Sequence, residues 1–498
     1  MRRWPSGLVL IVAMICAALF VQAQEAPQNT APYSSNTQLC LDCHSLETPG
    51  IVQDWMHSRH ARISPATALE QPVNQRRISA ARVPDELENT AVGCYECHGL
   101  RADQHPDSVE HFGLRISSIV TPTDCAVCHP LELEQYAKSK MGNAWGNLAK
   151  NSLFTALVNT IDSPKRLREG ELQQLTATDQ TKAENCFACH GTKVTFTGTV
   201  AVQTDYGEQL RPQYVGWPSN GVGRINPDGS MGSCSSCHPR HGFSIEIARK
   251  PHTCGQCHLE PDVPAYNVYL ESKHGNIYSS LKQDYDFDAV PWTVGRDFRA
   301  PTCAVCHASA LQTPEGTLVV ERTHDFGSRL WVRIFGLIYA HPQPVLGDTS
   351  KIRNADGLSL PTTFDNRPAS GFLINEQTAD QRQAQMQSLC SLCHGTTHVA
   401  GHFARLENTI AETDQMVATA TGLMVHAWEL GLADKTNPFD EALEIKWISQ
   451  WLFYASSVRY ASAMSGPDYA GFKNGWWYLS KNLREMDKQI KCSETKAK

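Results

Sequence analysis

The sequence predicts a mainly α-helical protein in which short helices and long loops precede a bundle of long helices. Two observations lead to this fold class. The pattern Cys-x-x-Cys-His occurs eight times before residue 405, with unequal gaps rich in proline, glycine and asparagine. After residue 405 the pattern stops, and apolar residues recur at the three- and four-residue spacing of an amphipathic helix. A domain boundary is therefore predicted there.

The repeated motif suits one kind of chemistry. In a turn of helix, positions i, i+3 and i+4 share a face, so two thiols and an imidazole can point at one flat group. The thiols can form thioethers with a haem while the histidine binds its iron. A zinc site would pair its Cys-x-x-Cys units and would not need a histidine after each one. Roughly 0.03 matches are expected by chance, so the sequence predicts a multihaem cytochrome c domain with eight covalent haems c.

We number the motifs 1 to 8 in chain order. The cysteines predicted to form thioethers are Cys40, Cys43, Cys94, Cys97, Cys125, Cys128, Cys186, Cys189, Cys234, Cys237, Cys254, Cys257, Cys303, Cys306, Cys390 and Cys393. The histidines predicted to bind iron on the proximal side are His44, His98, His129, His190, His238, His258, His307 and His394. Only Cys16 and Cys492 remain, so no disulfide framework is predicted for the mature chain.

Residues 1–23 are predicted to be a signal peptide. A basic start, "MRRW", precedes the apolar run "LVLIVAMICAALF" and the small-residue cleavage site Val21-Gln22-Ala23. The run is short for a membrane-spanning helix. We therefore expect an exported, soluble protein of the periplasm or an equivalent lumen, with no membrane span after cleavage. The net charge of −7 is spread without runs, which argues against a nucleic-acid partner.

Residues 24–405 are predicted to form the haem domain and residues 406–498 a helical domain. A first helix follows from the apolar spacing in "RLENTIAETDQMVATATGLMVHAWELGLA". Asn437-Pro438 is a helix-start signal for a second helix, which Gly466-Pro467 ends before a third. The tryptophans and methionines of these helices are predicted to pack in their core.

Several stretches carry a resemblance to a known family. They include "PGIVQDWMHSRHA", "EHFGLRISSIVTPTDCAVCHPLELEQYAKSK", "SCSSCHPRHGFSIEIARKPHTCGQCHLEPDVP", "YLESKHG", "THDFGSRL" and "GPDY". In motif count, order and intervening text the chain resembles the octahaem hydroxylamine oxidoreductase family, which has hydrazine-oxidising and nitrite-reducing relatives. The resemblance covers nearly the whole mature chain. It implies a homotrimer or a complex with a homologous subunit.

The resemblance also implies a ligand set. Seven haems would be six-coordinate, and the haem of motif 4, on His190, would keep an open distal face for substrate. The distal ligands carried over are His60, His111, His241, His274, His324 and His402, with His398 as the alternative to His402. The seventh position departs from the family. A Ser-Lys-His is usual there, and this chain has Ser139-Lys140-Met141. Met141 is itself a suitable haem ligand, or it packs against a haem while His57, His105 or His252 takes its place.

Two further residues are implied at the active site. The family's Gly-Pro-Asp-His-Pro reads "EPDVP" here, so Asp262 remains as an acid/base and Val263 replaces a proton-carrying histidine. The alternative is that Asp262 only shapes its loop. Tyr469 lies where oxidative members have a tyrosine that crosslinks to the catalytic haem of a neighbouring subunit. An ordinary interface tyrosine is the alternative, and Tyr454, Tyr460 and Tyr478 are other candidates for the crosslink.

The function that these features predict is oxidation of hydroxylamine at the haem of His190. Asp262 would accept protons, and the other haems would pass electrons to a soluble c-type cytochrome or another redox partner. Two alternatives stay open. One is an enzyme that reduces nitrite or nitric oxide, which loss of the tyrosine crosslink would favour. The other is a catalytically silent electron-transfer subunit, which the departures at Met141 and Val263 would favour.

Overall fold

The computed structural model describes residues 31–335 and 337–497 and confirms a mainly α-helical fold. The helices are α1 Ser35–Glu47, α2 Pro49–His57, α3 Pro65–Leu69, α4 Asp85–Glu88, α5 Cys94–His98, α6 Pro122–Cys125, α7 Pro130–Lys138, α8 Ala144–Ala149, α9 Ser152–Asp162, α10 Asp179–Glu184, α11 Cys186–His190, α12 Ile245–Arg249, α13 Pro251–Gly255, α14 Ala265–Glu271, α15 Lys273–Leu281, α16 Cys303–His307, α17 Glu376–Ser391, α18 Thr396–Glu429, α19 Ala442–Ile448, α20 Ala455–Met464, α21 Pro467–Gly471 and α22 Trp476–Ala497. The predicted signal peptide lies outside the described residues. No helix of the described part is both long and apolar enough to cross a membrane.

The motifs themselves form turns of helix. Motifs 2, 4 and 7 coincide with α5, α11 and α16, each of which begins at the first cysteine and ends at the histidine. In motifs 3, 5, 6 and 8 the backbone N–H of the histidine donates to the carbonyl of the first cysteine, at 2.9 to 3.0 Å. This helical hydrogen bond places the two sulfurs and the imidazole on one face, as the haem-attachment geometry requires.

Short strands occur between the helices, where the sequence suggested loops; all pair antiparallel except β7, which pairs in parallel with β8. The strands are β1 Val109–His111, β2 Leu114–Ile116, β3 Lys165–Arg168, β4 Glu171–Gln174, β5 Thr195–Thr204, β6 Gly207–Val215, β7 Trp292–Thr293, β8 Leu311–Gln312, β9 Leu318–Val320, β10 Val332–Arg333 and β11 His341–Pro342. β5 and β6 form the longest hairpin, with Thr204 opposite Gly207 at its tip. Threonine and valine dominate β5, and such β-branched side chains favour extended backbone.

Three long helical segments form the C-terminal part, as predicted. They are α18, the run from Ala442 to Met464, and α22. The middle segment contains a π-helical turn, Ser449–Tyr454, between α19 and α20. The predicted core is confirmed: a cluster of buried side chains joins these helices, including Met424, Trp447, Trp451, Leu479 and Met486. α18 begins at Thr396, so the boundary predicted at residue 405 falls within a helix.

A buried ion pair connects two of these segments to the loop before β11. The Arg459 guanidinium, which has no exposed surface, contacts the Asp414 carboxylate of α18. Arg459 also donates to the carbonyl oxygens of Ile334 and Ile338, at 3.3 and 3.5 Å. The backbone N–H of Ala340 donates to Asp414 Oδ1 at 3.4 Å. The ion pair therefore helps to fix both ends of the segment that connects β10 to β11.

Substitution of one partner should show how much this contact stabilises the fold. Arg459→Met leaves the Asp414 carboxylate without its counterion in a mostly apolar environment. Breaking a buried pair in this way costs about 3–5 kcal/mol. We expect that decrease in the free energy of unfolding, measured by denaturant titration followed by circular dichroism. The control is Lys491→Met, which removes the exposed Lys491–Asp487 pair and should cost less than about 1 kcal/mol. Equal effects of the two substitutions would contradict this role.

Candidate haem-binding and active site

The motif histidines are oriented by hydrogen bonds from their Nδ1 atoms. His98 Nδ1 lies 2.7 Å from the carbonyl oxygen of Ser117, and His190 Nδ1 lies 3.2 Å from that of Ala144. A carbonyl oxygen can only accept, so Nδ1 must have the proton in both rings. This tautomer leaves Nε2 free as the metal ligand, and the hydrogen bond fixes the plane of the ring.

Four motif histidines face a second histidine at a distance that suits an iron between them. An iron about 2 Å from each of two imidazole nitrogens keeps the ring centres about 6 Å apart. The observed separations, in chain order of the motifs, are 6.3 Å for His44–His111, 6.3 Å for His129–His60, 6.5 Å for His238–His324 and 5.9 Å for His394–His274. The residues present therefore fit bis-histidine haems at motifs 1, 3, 5 and 8.

The protonation of these rings is also suitable. Burial lowers the pKa of His60, His238 and His324 to about 4. These side chains are then neutral at ordinary pH, and the neutral imidazole is the form that binds iron.

The other two carried-over histidines lie near motifs 2 and 8, and His394 of motif 8 already faces His274. His241 lies close enough to His98 of motif 2 for the two rings to lower each other's affinity for a proton. His402 is half-buried, whereas His398 is exposed and stacks on His394 with ring centres 4.6 Å apart. That spacing is too short for an iron between the rings of His398 and His394, and burial favours His402.

None of the three alternative histidines for the seventh position has the surroundings of an iron ligand. His57 is exposed, with Nδ1 2.7 Å from the carbonyl oxygen of Gln53, and His252 is exposed as well. His105 lies between Asp107 and Asp124, and its hydrogen bonds to these carboxylates raise its pKa to about 9. A histidine held in the protonated form has no lone pair for iron.

Asp262, Tyr460 and Arg333 come together beside motif 4. The Asp262 carboxylate acts electrostatically on Cys186 and Cys189, the two cysteines of that motif. Burial raises the pKa of Tyr460, whose hydroxyl lies near both Arg333 and Asp262. Arg333 also acts on His190, where burial is the larger cause of a lowered pKa. Asp262 Oδ1 accepts a local hydrogen bond from the Val263 N–H at 3.1 Å, so part of its role is to shape the loop.

Two residues that the sequence did not single out lie next to Arg333. His341 is its cross-strand partner in the β10–β11 pair and is buried. His341 Nδ1 donates to the carbonyl oxygen of Pro342 at 2.7 Å, and its Nε2 has no partner among the described residues. Burial, with a smaller contribution from Arg333, lowers the pKa of Lys140 to about 8. His341 is far in sequence from any haem motif. Lys140 stands beside Met141, but no residue pattern pointed to a role for Lys140 itself.

Tyr469 is enclosed within its own chain. It is 1% exposed and packs against Val268 and Ala461. Its hydroxyl donates to Glu260 Oε2 at 2.9 Å. A crosslink to the haem of a neighbouring subunit stays a prediction, and it would require this hydrogen bond to break and the side chain to leave its pocket.

The cysteines show which motifs are neighbours. With the predicted haems attached, these sulfurs would be thioethers, and their positions would mark haem edges. The Sγ atoms of Cys40 and Cys94 lie within hydrogen-bonding range of each other, as do those of three more pairs: Cys125 with Cys234, Cys189 with Cys257, and Cys254 with Cys303. Electrostatic contacts connect Cys97 to Cys128, Cys237 to Cys254, and Cys306 to Cys390. The motifs thus follow the order 1-2-3-5-6-7-8, and motif 4 branches from motif 6.

Comparisons with known proteins identify the family of the chain. A family model described as "Seven times multi-haem cytochrome CxxCH" matches residues 228–319, and the model for cytochrome c554 and c-prime matches residues 124–209. A solved structure titled "Hypothetical multiheme protein" is 41% identical, covers 96% of this chain and 99% of its own, and has a TM-score of 0.88. The chain belongs to the multihaem cytochromes c.

Two proteins of Kuenenia stuttgartiensis are more distant relatives of this multihaem cytochrome. A probable nitrite reductase-hydroxylamine oxidoreductase fusion protein is 27% identical over 279 residues, which is 54% of this chain and 25% of that protein. The match therefore spans about a quarter of the curated relative. A reducing HAO-like protein complex has a TM-score of 0.57 at 17% identity, over 93% of this chain and 85% of its own. At this identity the second comparison shows a shared fold alone.

The ligand assignment can be tested with two histidines that are close in sequence. His111→Ala should leave the motif 1 iron with a single histidine and convert one low-spin haem to a high-spin haem. His105→Gln should leave the number of low-spin haems unchanged, because His105 holds carboxylates rather than iron. Electron paramagnetic resonance of the oxidised proteins measures both outcomes. A high-spin signal in His105→Gln beyond that of the wild type, or no additional high-spin signal in His111→Ala, would overturn the assignment.

Proposed function

We propose that this multihaem cytochrome is an exported octahaem oxidoreductase that reduces nitrite at the haem of His190. That haem, when bound, supplies the electrons and the open iron position at which a small nitrogen compound can react. All eight motifs would hold haem c, and the seven other haems would bring electrons from a soluble c-type cytochrome or a similar donor. We further propose that it works outside the cytoplasm, as a homotrimer or with a homologous subunit.

The observation that supports an anionic substrate is the pair of cations, Arg333 and Lys140, near His190. No described carboxylate forms an ion pair with the guanidinium of Arg333, which instead lies over the Phe335 ring at 5.9 Å. Lys140, which is close to Arg333, has no ion pair with a described residue either, although the Asp325 carboxylate acts on it electrostatically. Half-buried cations without a direct ion pair attract a small anion such as nitrite. Hydroxylamine is neutral and would gain nothing from them.

Two side chains could handle the protons that reduction consumes. Burial raises the pKa of Asp262, so its carboxyl takes up a proton more readily than an exposed one. Burial also raises the pKa of Tyr460, which keeps its hydroxyl protonated and able to donate. His341 has an unpartnered buried Nε2, but burial lowers its pKa to about 3. This ring is therefore neutral at ordinary pH and can accept a hydrogen bond, and it does not replace the proton-carrying histidine whose position Val263 takes.

Hydroxylamine oxidation, which the sequence favoured, is the second candidate. The family resemblance supports it, and an ionised Asp262 could accept protons from a neutral substrate. The oxidative members of the family use a tyrosine crosslink from a neighbouring subunit. The hydrogen bond from Tyr469 to Glu260 within one chain gives that crosslink no support. A catalytically silent electron-transfer subunit would need neither the cations Arg333 and Lys140 nor an open coordination position on the iron of His190.

Assays of the purified haem-loaded protein separate these candidates. With a reduced artificial electron donor, nitrite should be consumed. With an oxidised acceptor, hydroxylamine should be turned over more slowly or not at all. Faster hydroxylamine oxidation than nitrite reduction would reject the proposal, and no turnover of either compound would indicate an electron-transfer subunit.

Removal of one positive charge tests the anion site directly. Arg333→Gln should raise the KM for nitrite by roughly 10- to 100-fold, because a hydrogen bond to a charged group contributes about 1.5–3 kcal/mol. The control is Arg211→Gln on the exposed strand β6, which should leave KM unchanged. An unchanged KM for nitrite in Arg333→Gln would remove the main support for an anionic substrate.

A further inference from the structure

Three turns of the chain share one sequence pattern and one backbone shape. They are "WMHSRHA" from Trp55, "YAKSKMG" from Tyr136 and "YLESKHG" from Tyr269. In each, a buried serine follows the end of a helix, and the φ and ψ angles of Ser58, Ser139 and Ser272 are −74° and 160°, −76° and 156°, and −74° and 163°.

The serine makes the same hydrogen bond in all three turns. Its hydroxyl oxygen accepts from the backbone N–H three residues later, at 3.3 Å from Ala61, 3.0 Å from Gly142 and 3.2 Å from Gly275. The residue just before that N–H is His60 in the first turn, Met141 in the second and His274 in the third. The three side chains are therefore presented by equivalent backbone.

The first and third turns present haem ligands. The rings of His60 and His274 lie 6.3 and 5.9 Å from the motif histidines His129 and His394, the separation that an iron between them requires. Met141 occupies the same place in the second turn. It is half-buried, and its thioether is a suitable ligand for haem iron.

The aromatic residue that opens each turn indicates which haem the turn serves. Trp55 packs in a cluster with Cys94 of motif 2, and its turn supplies the ligand of motif 3. Tyr269 lies beside Cys303 and Cys306 of motif 7, and its turn supplies the ligand of motif 8. In both turns the aromatic residue touches one motif and the ligand serves the next motif in the spatial order.

The second turn follows the same rule. Tyr136 lies beside Cys237 and Cys234 of motif 5 and, with a smaller electrostatic effect, beside Cys257 of motif 6. The next motif in the spatial order is motif 6. Among the ring contacts of the described residues, His258 of motif 6 faces no second histidine ring, and neither does His307 of motif 7.

We infer that the Met141 thioether is the distal iron ligand of the haem of motif 6. This haem would then have His258 and Met141 as its axial ligands, in a chain whose other six-coordinate haems have two histidines. The inference is independent of the substrate, because it concerns a haem other than the one on His190.

Because of the position of this haem, a methionine ligand would affect electron flow to the haem of His190. Motif 6 is the branch point of the spatial order, since Cys257 lies against Cys189 of motif 4 and Cys254 against Cys303 of motif 7. A thioether donates less charge to ferric iron than an imidazole and raises the reduction potential. The haem beside the open site would therefore hold an electron more strongly than its bis-histidine neighbours.

Spectroscopy and a redox titration of the haem-loaded protein test the inference. Ferric haem with a methionine ligand has a weak far-red absorption band, which the wild type should show and Met141→Leu should lose. Met141→His should also lose the band, keep the motif 6 haem low-spin and lower one reduction potential, since two other turns of this shape already hold histidine. The control Met231→Leu changes an exposed methionine and should keep the band.

Each outcome of the test has a defined meaning. A wild-type spectrum without the band, or a band that persists in Met141→Leu, would overturn the assignment. An unchanged set of potentials in Met141→His would overturn it as well. These readouts do not depend on turnover, so they can fail while nitrite reduction holds, and the reverse is also true.

Discussion

One constraint accounts for the rest of the structure: the short distance that an iron would impose between two imidazoles from distant parts of the chain. His129 faces His60 from an earlier segment, and His238 faces His324 from a later one. The chain must therefore run back and forth past its own motifs. Short helices, tight turns and hairpins allow such a path, and an extended sheet or a single continuous core would not. Metal ligation of this kind contributes to the free energy of folding as well as to the chemistry.

The C-terminal helices complete the candidate site as well as packing against each other. Tyr460 comes from α20, Asp262 from the loop after motif 6, and Arg333 from β10. The Arg459–Asp414 pair holds the carbonyl oxygens of Ile334 and Ile338, close to Arg333 in the chain. The haem-bearing and helical parts thus both contribute to the proposed site, in which the surrounding side chains would set charge and proton supply while the iron would supply the redox chemistry.

Much of this arrangement could be predicted from the sequence, because haem attachment has a local signature and long amphipathic helices have a regular period. The resemblance named His111 and His274 as distal ligands, but it did not say which motif histidine each would face. Arg333 and His341 were not, since each lies on a two-residue strand with no periodic signal. The early start of α18 was hidden because residues 396–405 include glycine and two histidines among few apolar residues.

The central claim is that one iron, on His190, is open while the others are six-coordinate. Electron paramagnetic resonance of the oxidised haem-loaded protein, with and without nitrite, tests it most directly. With eight motifs, the account predicts seven low-spin haems and one high-spin haem whose signal changes when nitrite is added. Eight low-spin haems that do not respond to nitrite would contradict it and would leave only electron transfer as a function for this chain.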